Sequence, residues 1–345
     1  MPRRHLFLHF NHFETIGSCK LKRSLIAMAI LAATGTAMAQ SSVNMYGTAD
    51  VAVGKLRFGK TGMQSNTAVN SHDSYLGFRG VEDLGSGLKT GFIFEQNINI
   101  NSGASDTHTF QRSANLWIGD TWGTVRAGSA YTPSYTAMSA WNLMGRNNNS
   151  IAGQTFGAVG GETNYYQNSQ LSYKTPNING LTIEAAYVFK ADNKNHSKYD
   201  LGFVYASGPL TAGLAYNKTQ SLDANYAFGG QYNFGTFDVA MSYFHSRNGG
   251  WRDETTGQMI PNAVSMANGF TIGGKIKLGS YSLALDIARE TSSSYTLNNS
   301  LYKMKNRTNF IAHGLYALSK RTFIYTNILR INDDHLYGIG MRHDF

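Results

Sequence analysis

The 345-residue length allows two soluble domains or one large barrel. Glycine (37), tyrosine (20) and phenylalanine (19) are abundant while only 15% of residues are charged, the balance expected of strands that are apolar on one face and polar on the other. The +9 net charge comes from Lys and Arg scattered singly rather than gathered in a stripe, which argues against nucleic acid as a partner, and a single cysteine excludes a disulfide framework.

The chain opens with an export signal. Lys20, Lys22 and Arg23 precede an apolar run over residues 25–33, and Ala37-Met38-Ala39 places small residues where a signal peptidase reads. The run is too short to anchor the chain as a membrane helix. Residues 1–39 therefore read as an N-terminal extension plus a cleaved signal peptide, and 40–345 as the mature domain. Losing the leader removes Cys19 and leaves 25 basic and 20 acidic side chains.

Downstream, period-two alternation repeats. Residues 43–54 place Val43, Met45, Ala49, Val51 and Val53 on one face and Asn44, Thr48 and Asp50 on the other. Residues 73–82 and 88–97 flank the turn DLGSG and form a hairpin; 109–119 and 123–130 form the next around Asp120-Thr121-Trp122. Residues 131–163 then run without a sustained period and, as far as Gly161, carry Arg146 as the only charge. So long a connection is functional or disordered, and its aromatic, charge-poor composition predicts that it folds against something. Alternation resumes over 164–174 and 181–190. It continues in Tyr199, Leu201, Phe203 and Tyr205, in Tyr226, Phe228 and Tyr232, in Phe270, Ile272 and Ile276, and in Tyr281, Leu283 and Leu285.

About sixteen strands of roughly ten residues follow, each long enough to cross a bilayer core when tilted. Tight links near 207–209, 235, 279 and 319–320 alternate with longer ones at 57–72, 131–163, 247–266 and 292–304. Short turns at one end and long loops at the other predict a 16-stranded antiparallel transmembrane β-barrel with an inward-folded constriction loop. The four mature prolines are expected in connections, where they interrupt no ladder. Phe92, Phe94 and Trp117 are expected on the outer face, against lipid or a neighbouring protomer.

The last strand ends HLYGIGMRHDF, with Tyr337, Ile339, Met341, His343 and the terminal Phe345 on one face. This terminal aromatic resembles the signal read by the barrel-assembly machinery. SSVNMYGTAD, SYLGFRGVEDLGSGLKTGF, GTVRAGSAYTPSYTAM and NSQLSYKTPNINGL resemble the general trimeric porins of Gram-negative bacteria, of the beta-proteobacterial kind, and the likeness covers residues 40–345. It implies a homotrimer in the outer membrane, in contact with lipid and lipopolysaccharide, whose third extracellular loop, here 131–163, narrows the pore. It also implies wall arginines facing loop carboxylates. Here three such arginine positions are Tyr75, Ser129 and Tyr166, and residues 131–161 hold no acid.

Arg79, Lys89, Arg112 and Arg126 remain as a basic wall on strands two to five, near Glu95, and predict a mild preference for anions. Tyr75, Tyr131, Tyr135, Trp141, Arg146 and Tyr166 are the expected lining of the constriction. The sequence holds no HExxH, GxSxG or P-loop, so no catalytic site, metal or cofactor is expected. The function expected is passive diffusion of small hydrophilic solutes and ions. The alternatives are a substrate-selective channel with a weakly charged tyrosine constriction, or a surface receptor or adhesin.

Overall fold

A computed structural model describes residues 42–56, 59–105, 108–145, 147–157, 159, 165–252 and 259–345. The expected leader and Arg146 lie outside them. Sixteen strands form the wall: β1 Ser42–Lys55, β2 Tyr75–Gly85, β3 Leu88–Asn97, β4 Ser113–Asp120, β5 Gly123–Tyr131, β6 Tyr166–Lys174, β7 Leu181–Val188 and β8 Lys198–Ser207. The ring continues with β9 Leu210–Thr219, β10 Asn225–Asn233, β11 Phe237–Arg252, β12 Met259–Leu278, β13 Tyr281–Leu297, β14 Thr308–Ala317, β15 Thr322–Ile331 and β16 Asp334–Asp344.

Each strand pairs antiparallel with the next, and β1 closes the ring by pairing with both β2 and β16. Closure satisfies every strand edge, which is what lets a sheet lie in hydrocarbon. The last residue takes part: Gly47 and Phe345 exchange both backbone hydrogen bonds, at 3.1 and 3.0 Å. The Phe345 ring lies where a Cβ on Gly47 would stand, so only glycine admits this seam.

Alternation decides the two faces. Outward lie Val43, Met45, Leu116, Phe228, Met241, Ile272, Leu283 and Ile339, all well exposed. Trp122, Tyr173, Tyr232, Phe234, Phe237 and Tyr281 gather towards the short-turn rim, and Tyr187, Phe189, Tyr199, Tyr226 and Tyr243 towards the opposite rim, two belts of the kind that meet lipid headgroups. The register places Trp117 on the inner face, across from Gly91 and Arg126, and this corrects the expectation for that residue. Leu116 and Ile118 are also apolar, so alternation there had no polar partner to fix its phase. Phe92 and Phe94 do face outward, with Leu116 and Ala114 as their neighbours.

The long links at 247–266 and 292–304 are mostly not loops. β11 and β12 run on as a ribbon to Arg252 and from Met259, and β13 reaches Leu297 before a short strand, Ser300–Lys303, pairs back onto it. Beyond the bilayer both faces of a ribbon meet water, so side chains such as Ser292, Ser293 and Ser294 carry no alternation to read. Pro261 falls inside β12 rather than in a connection, but at a register shift where Ile260 and Val264 pair and Pro261 does not, so no ladder bond is lost. At the last hairpin, Asn332 and Asp333 both take positive φ (52° and 69°), the two-residue turn whose twist suits antiparallel strands.

The barrel is filled from within. Between β5 and β6 the chain turns inward as helix α1, Pro133–Ala137, a 3-10 turn, Met138–Ala140, and helix α2, Ile151–Phe156. This segment was expected to lack helical period, and its helices are indeed too short to show one. Thr132 and Ser150 cap them, each accepting from a backbone N–H.

Candidate functional site

Two inserts line the inner wall. The first is the β5–β6 segment, held by apolar packing. Met138, Trp141, Ile151 and Phe156 are at most 2% exposed. The wall behind them is floored with glycine: a Cβ on Gly213 or Gly229 would strike Trp141, one on Gly269 would strike Phe156, and one on Gly273 would strike Leu143. These glycines remove bulk where another backbone approaches. Phe156 stacks on Phe244 at 4.7 Å between centroids. Trp141 thus lies between the insert and the wall and does not face the pore as expected, because its indole fills the space that Gly213 and Gly229 leave.

One buried acid fixes the root of this insert. Asp200 on β8 accepts from the Ser134 backbone N–H (2.6 Å) and from its hydroxyl (3.0 Å), with Lys198 Nζ at 3.8 Å. Farther along, Asn149 donates to Asn327 on β15 (3.2 Å).

The second insert was not expected. The β1–β2 connection spans residues 56–74, where the sequence predicts only a longer link at 57–72, and Val69 and Asn70 in it have no exposure at all. Here polar bonds do the holding. Asp50 on β1 accepts from Asn70 Nδ2 (3.0 Å), from the His72 backbone N–H (2.8 Å) and from the Tyr325 hydroxyl. Asn327 donates to the Val69 carbonyl at 2.8 Å, and Val69 packs over Gly338. Asn327 therefore touches both inserts. Burial pushes the His72 imidazole below the ordinary histidine value of 6.5, helped by the nearby Arg342 and Arg112 charges and opposed by its bond to the Asp73 carbonyl.

Between the inserts stands an arginine among tyrosines. Arg112 lies just before β4, not on it as expected, and is 2% exposed. Its guanidinium is 4.4 Å from the centre of the Tyr75 ring, 5.8 Å from that of Tyr131 and 5.7 Å from that of Tyr166, close enough for attraction to the ring faces. It donates to the Tyr131 hydroxyl (2.6 Å), to Asn97 (2.9 Å) and to Asp73 (2.7 Å), and Glu95 lies 3.6 Å away. Tyr166 donates to the Tyr131 hydroxyl at 3.0 Å, and Tyr131 also packs on Tyr135, which is 8% exposed. Of the expected site residues, Tyr75, Glu95, Arg112, Tyr131, Tyr135 and Tyr166 are thus brought into one cluster.

Arg79 stands next to this cluster on β2, exposed, with its guanidinium 4.9 Å over the Tyr46 ring; Tyr46 in turn donates to Glu95 at 2.7 Å. Lys89 and Arg126 are not part of it. Both point inward nearer the short-turn rim, Lys89 exposed and Arg126 3.6 Å from Glu184. Asp73 is the member of the cluster that sequence reasoning missed, together with Asn148, which bonds it from the segment between β5 and β6. Each belongs to a polar loop stretch with nothing local to mark it, and they meet only in the fold.

Residues 25–336 match the family model of the Gram-negative porins. The chain is 31% identical to outer membrane porin protein 32 of Delftia acidovorans, with 93% of each chain covered. It is 27% identical to an outer-membrane porin of Bordetella pertussis, over 94% of this chain and all of that one. Among solved structures, an anion-selective porin from Comamonas acidovorans superposes with a TM-score of 0.68 at 22% identity, covering 89% of this chain and all of the other. OmpF of Salmonella typhi, in complex with daunomycin, gives 0.64 at 15% identity, over 88% and 97%. The chain therefore belongs to the Gram-negative porin family, as a closed sixteen-stranded channel of the outer membrane.

Proposed function

We propose that this porin passes small hydrophilic solutes with a mild preference for anions, set by its short-turn half rather than by its narrowest level. One observation carries the reading: the inner wall towards the short turns presents Lys89, Arg126, Lys174, Lys277 and Arg342, while the cluster around Arg112 balances its own charge. In that cluster Asp73 and Glu95 offset Arg112 and Arg79. Acids share this half: Asp83 stands across from Lys89, and Glu184, Asp238 and Asp344 pair with Arg126, Lys277 and Arg342, so the excess of cations is small. A mouth with a small excess of one sign raises the local concentration of counter-ions modestly without holding them.

The segment 131–163 is the constriction loop in this reading. Tyr75, Tyr131 and Tyr166 present hydroxyls and ring faces at that level, which suits weakly charged solutes as well as ions. The outward face of Tyr337, Ile339, Met341, His343 and Phe345 serves recognition by the assembly machinery, and the outer faces of β1–β5, which carry Val43, Met45 and Leu116, serve trimer contact. Residues 1–39 are removed on export.

Swelling of liposomes containing the purified mature protein tests the diffusion reading. Rates should rise linearly with solute concentration and fall smoothly with sugar size. Saturation by one solute, with block of the ionic current by it, would replace this reading with a substrate-selective channel.

A further inference from the structure

Asp73 sits where the two inserts and the wall meet. One carboxylate oxygen accepts from Arg112 on the wall at 2.7 Å, and the other accepts from Asn148 at 2.7 Å, in the segment between β5 and β6. Asp73 itself belongs to the β1–β2 insert, two residues before Tyr75. Its side chain keeps 24% exposure, against 2% for Arg112 and 13% for Glu95, so it is the most open member of this charged triad.

The charges show what the arrangement does. Arg112 carries one positive charge and faces two carboxylates, so the triad is a net negative group. Without Asp73 it would be neutral, and the adjacent Arg79 would become the dominant charge at that level. The Asp73 side chain bonds both Arg112 and Asn148, and no other carboxylate does so among the described residues.

We propose that Asp73 tunes the selectivity of this pore: a charge clamp on the first insert that masks Arg112 and ties the third loop to the first, so that the constriction adds nothing to the anion preference of the mouth and that preference stays mild. The proposal rests on the channel reading above. It makes a carboxylate outside the constriction loop, contributed by the neighbouring insert, the acidic partner of the wall arginine.

The experiment is reversal potential across a planar bilayer under a KCl gradient, with the mature wild type, Asp73→Asn, Asp73→Ser, Asp73→Glu and Asn148→Ala. Heat-modifiable gel migration identifies the variants that fold. A unit charge at this level acts with opposite sign on chloride and potassium, so even screened as in water its removal changes their relative permeability several-fold. Asp73→Asn and Asp73→Ser should therefore raise the chloride-to-potassium ratio by about that factor at low salt, and by less at 1 M, where screening is strong. Asp73→Glu should stay near the wild type. Asn148→Ala, which removes the loop-to-loop bond but no charge, should leave the ratio unchanged and add brief closures.

An unchanged ratio in folded Asp73→Asn or Asp73→Ser would overturn the proposal. So would Asn148→Ala shifting the ratio as far as the charge variants do, since loop position rather than charge would then set selectivity. A wild type without channel steps would overturn the channel reading and this proposal together; a conducting wild type with unmoved Asp73 variants overturns the proposal alone.

Discussion

The two inserts inside this barrel occupy similar positions by opposite means. The segment between β5 and β6 is rooted by Asp200 but held along its length chiefly by apolar bulk against a glycine-floored wall, with Trp141 over Gly213 and Gly229 and Phe156 over Gly269. The β1–β2 insert is held by hydrogen bonds converging on Asp50 and Asn327. Apolar packing responds little to pH or salt, whereas a polar attachment around a carboxylate and a buried imidazole responds to both. The first arrangement suits a fixed aperture and the second an adjustable one.

Trp141→Ala should break the contrast most severely. Truncating a fully buried tryptophan costs about 3–5 kcal/mol, and here the loss falls on loop docking rather than on the strand ladder. Single-channel conductance should rise and larger sugars should enter liposomes, while the barrel keeps its heat-modifiable migration. Conductance equal to the wild type would mean that the insert is held chiefly by Asp200 and Asn149.

A smaller effect is expected from Asp50→Ala, which leaves the Asn70 amide, the His72 N–H and the Tyr325 hydroxyl without their shared acceptor. An unmatched buried polar group costs about 1–3 kcal/mol. The β1–β2 insert should become sensitive to added protease and the open channel noisier, with its mean conductance close to the wild type. Equal protease resistance would contradict the polar attachment.

The smallest effect concerns pH. Because burial lowers the His72 pKa in the docked state, docking is favoured fully above the ordinary value of 6.5. It weakens as pH falls below 6.5, since the undocked imidazole takes up a proton that the docked one resists. Asp50, Asp73, Arg112 and Arg342 surround the imidazole in charge. Closures should become more frequent on acidification below about pH 6.5 in the wild type and less so in His72→Gln.

The sequence made the strands legible wherever one face meets hydrocarbon and the other water, as in residues 88–97 and 181–188. It lost them where both faces are wet, in the ribbons ending at Arg252 and Leu297, and it lost phase at Trp117, whose neighbours are also apolar. The tyrosines at 75, 131 and 166 were visible as departures from an arginine pattern. Their gathering around Arg112 was not, because that cluster draws on β2, β3, β5, β6 and the approach to β4. The buried β1–β2 insert was hidden by its polar composition: Asn70, Ser71 and His72 read as a solvated loop, and only long-range partners such as Tyr325 and Asn327 make them interior residues.

A charge-balanced constriction and a slightly basic mouth together give this porin a mild anion preference. The decisive measurement is reversal potential in a KCl gradient, comparing the wild type with the double variant Lys89→Gln/Arg126→Gln. The wild type should show a modest chloride preference that declines in the double variant with little change in conductance. Potassium selectivity in the wild type, or a strong chloride preference that the double variant leaves untouched, would contradict this reading.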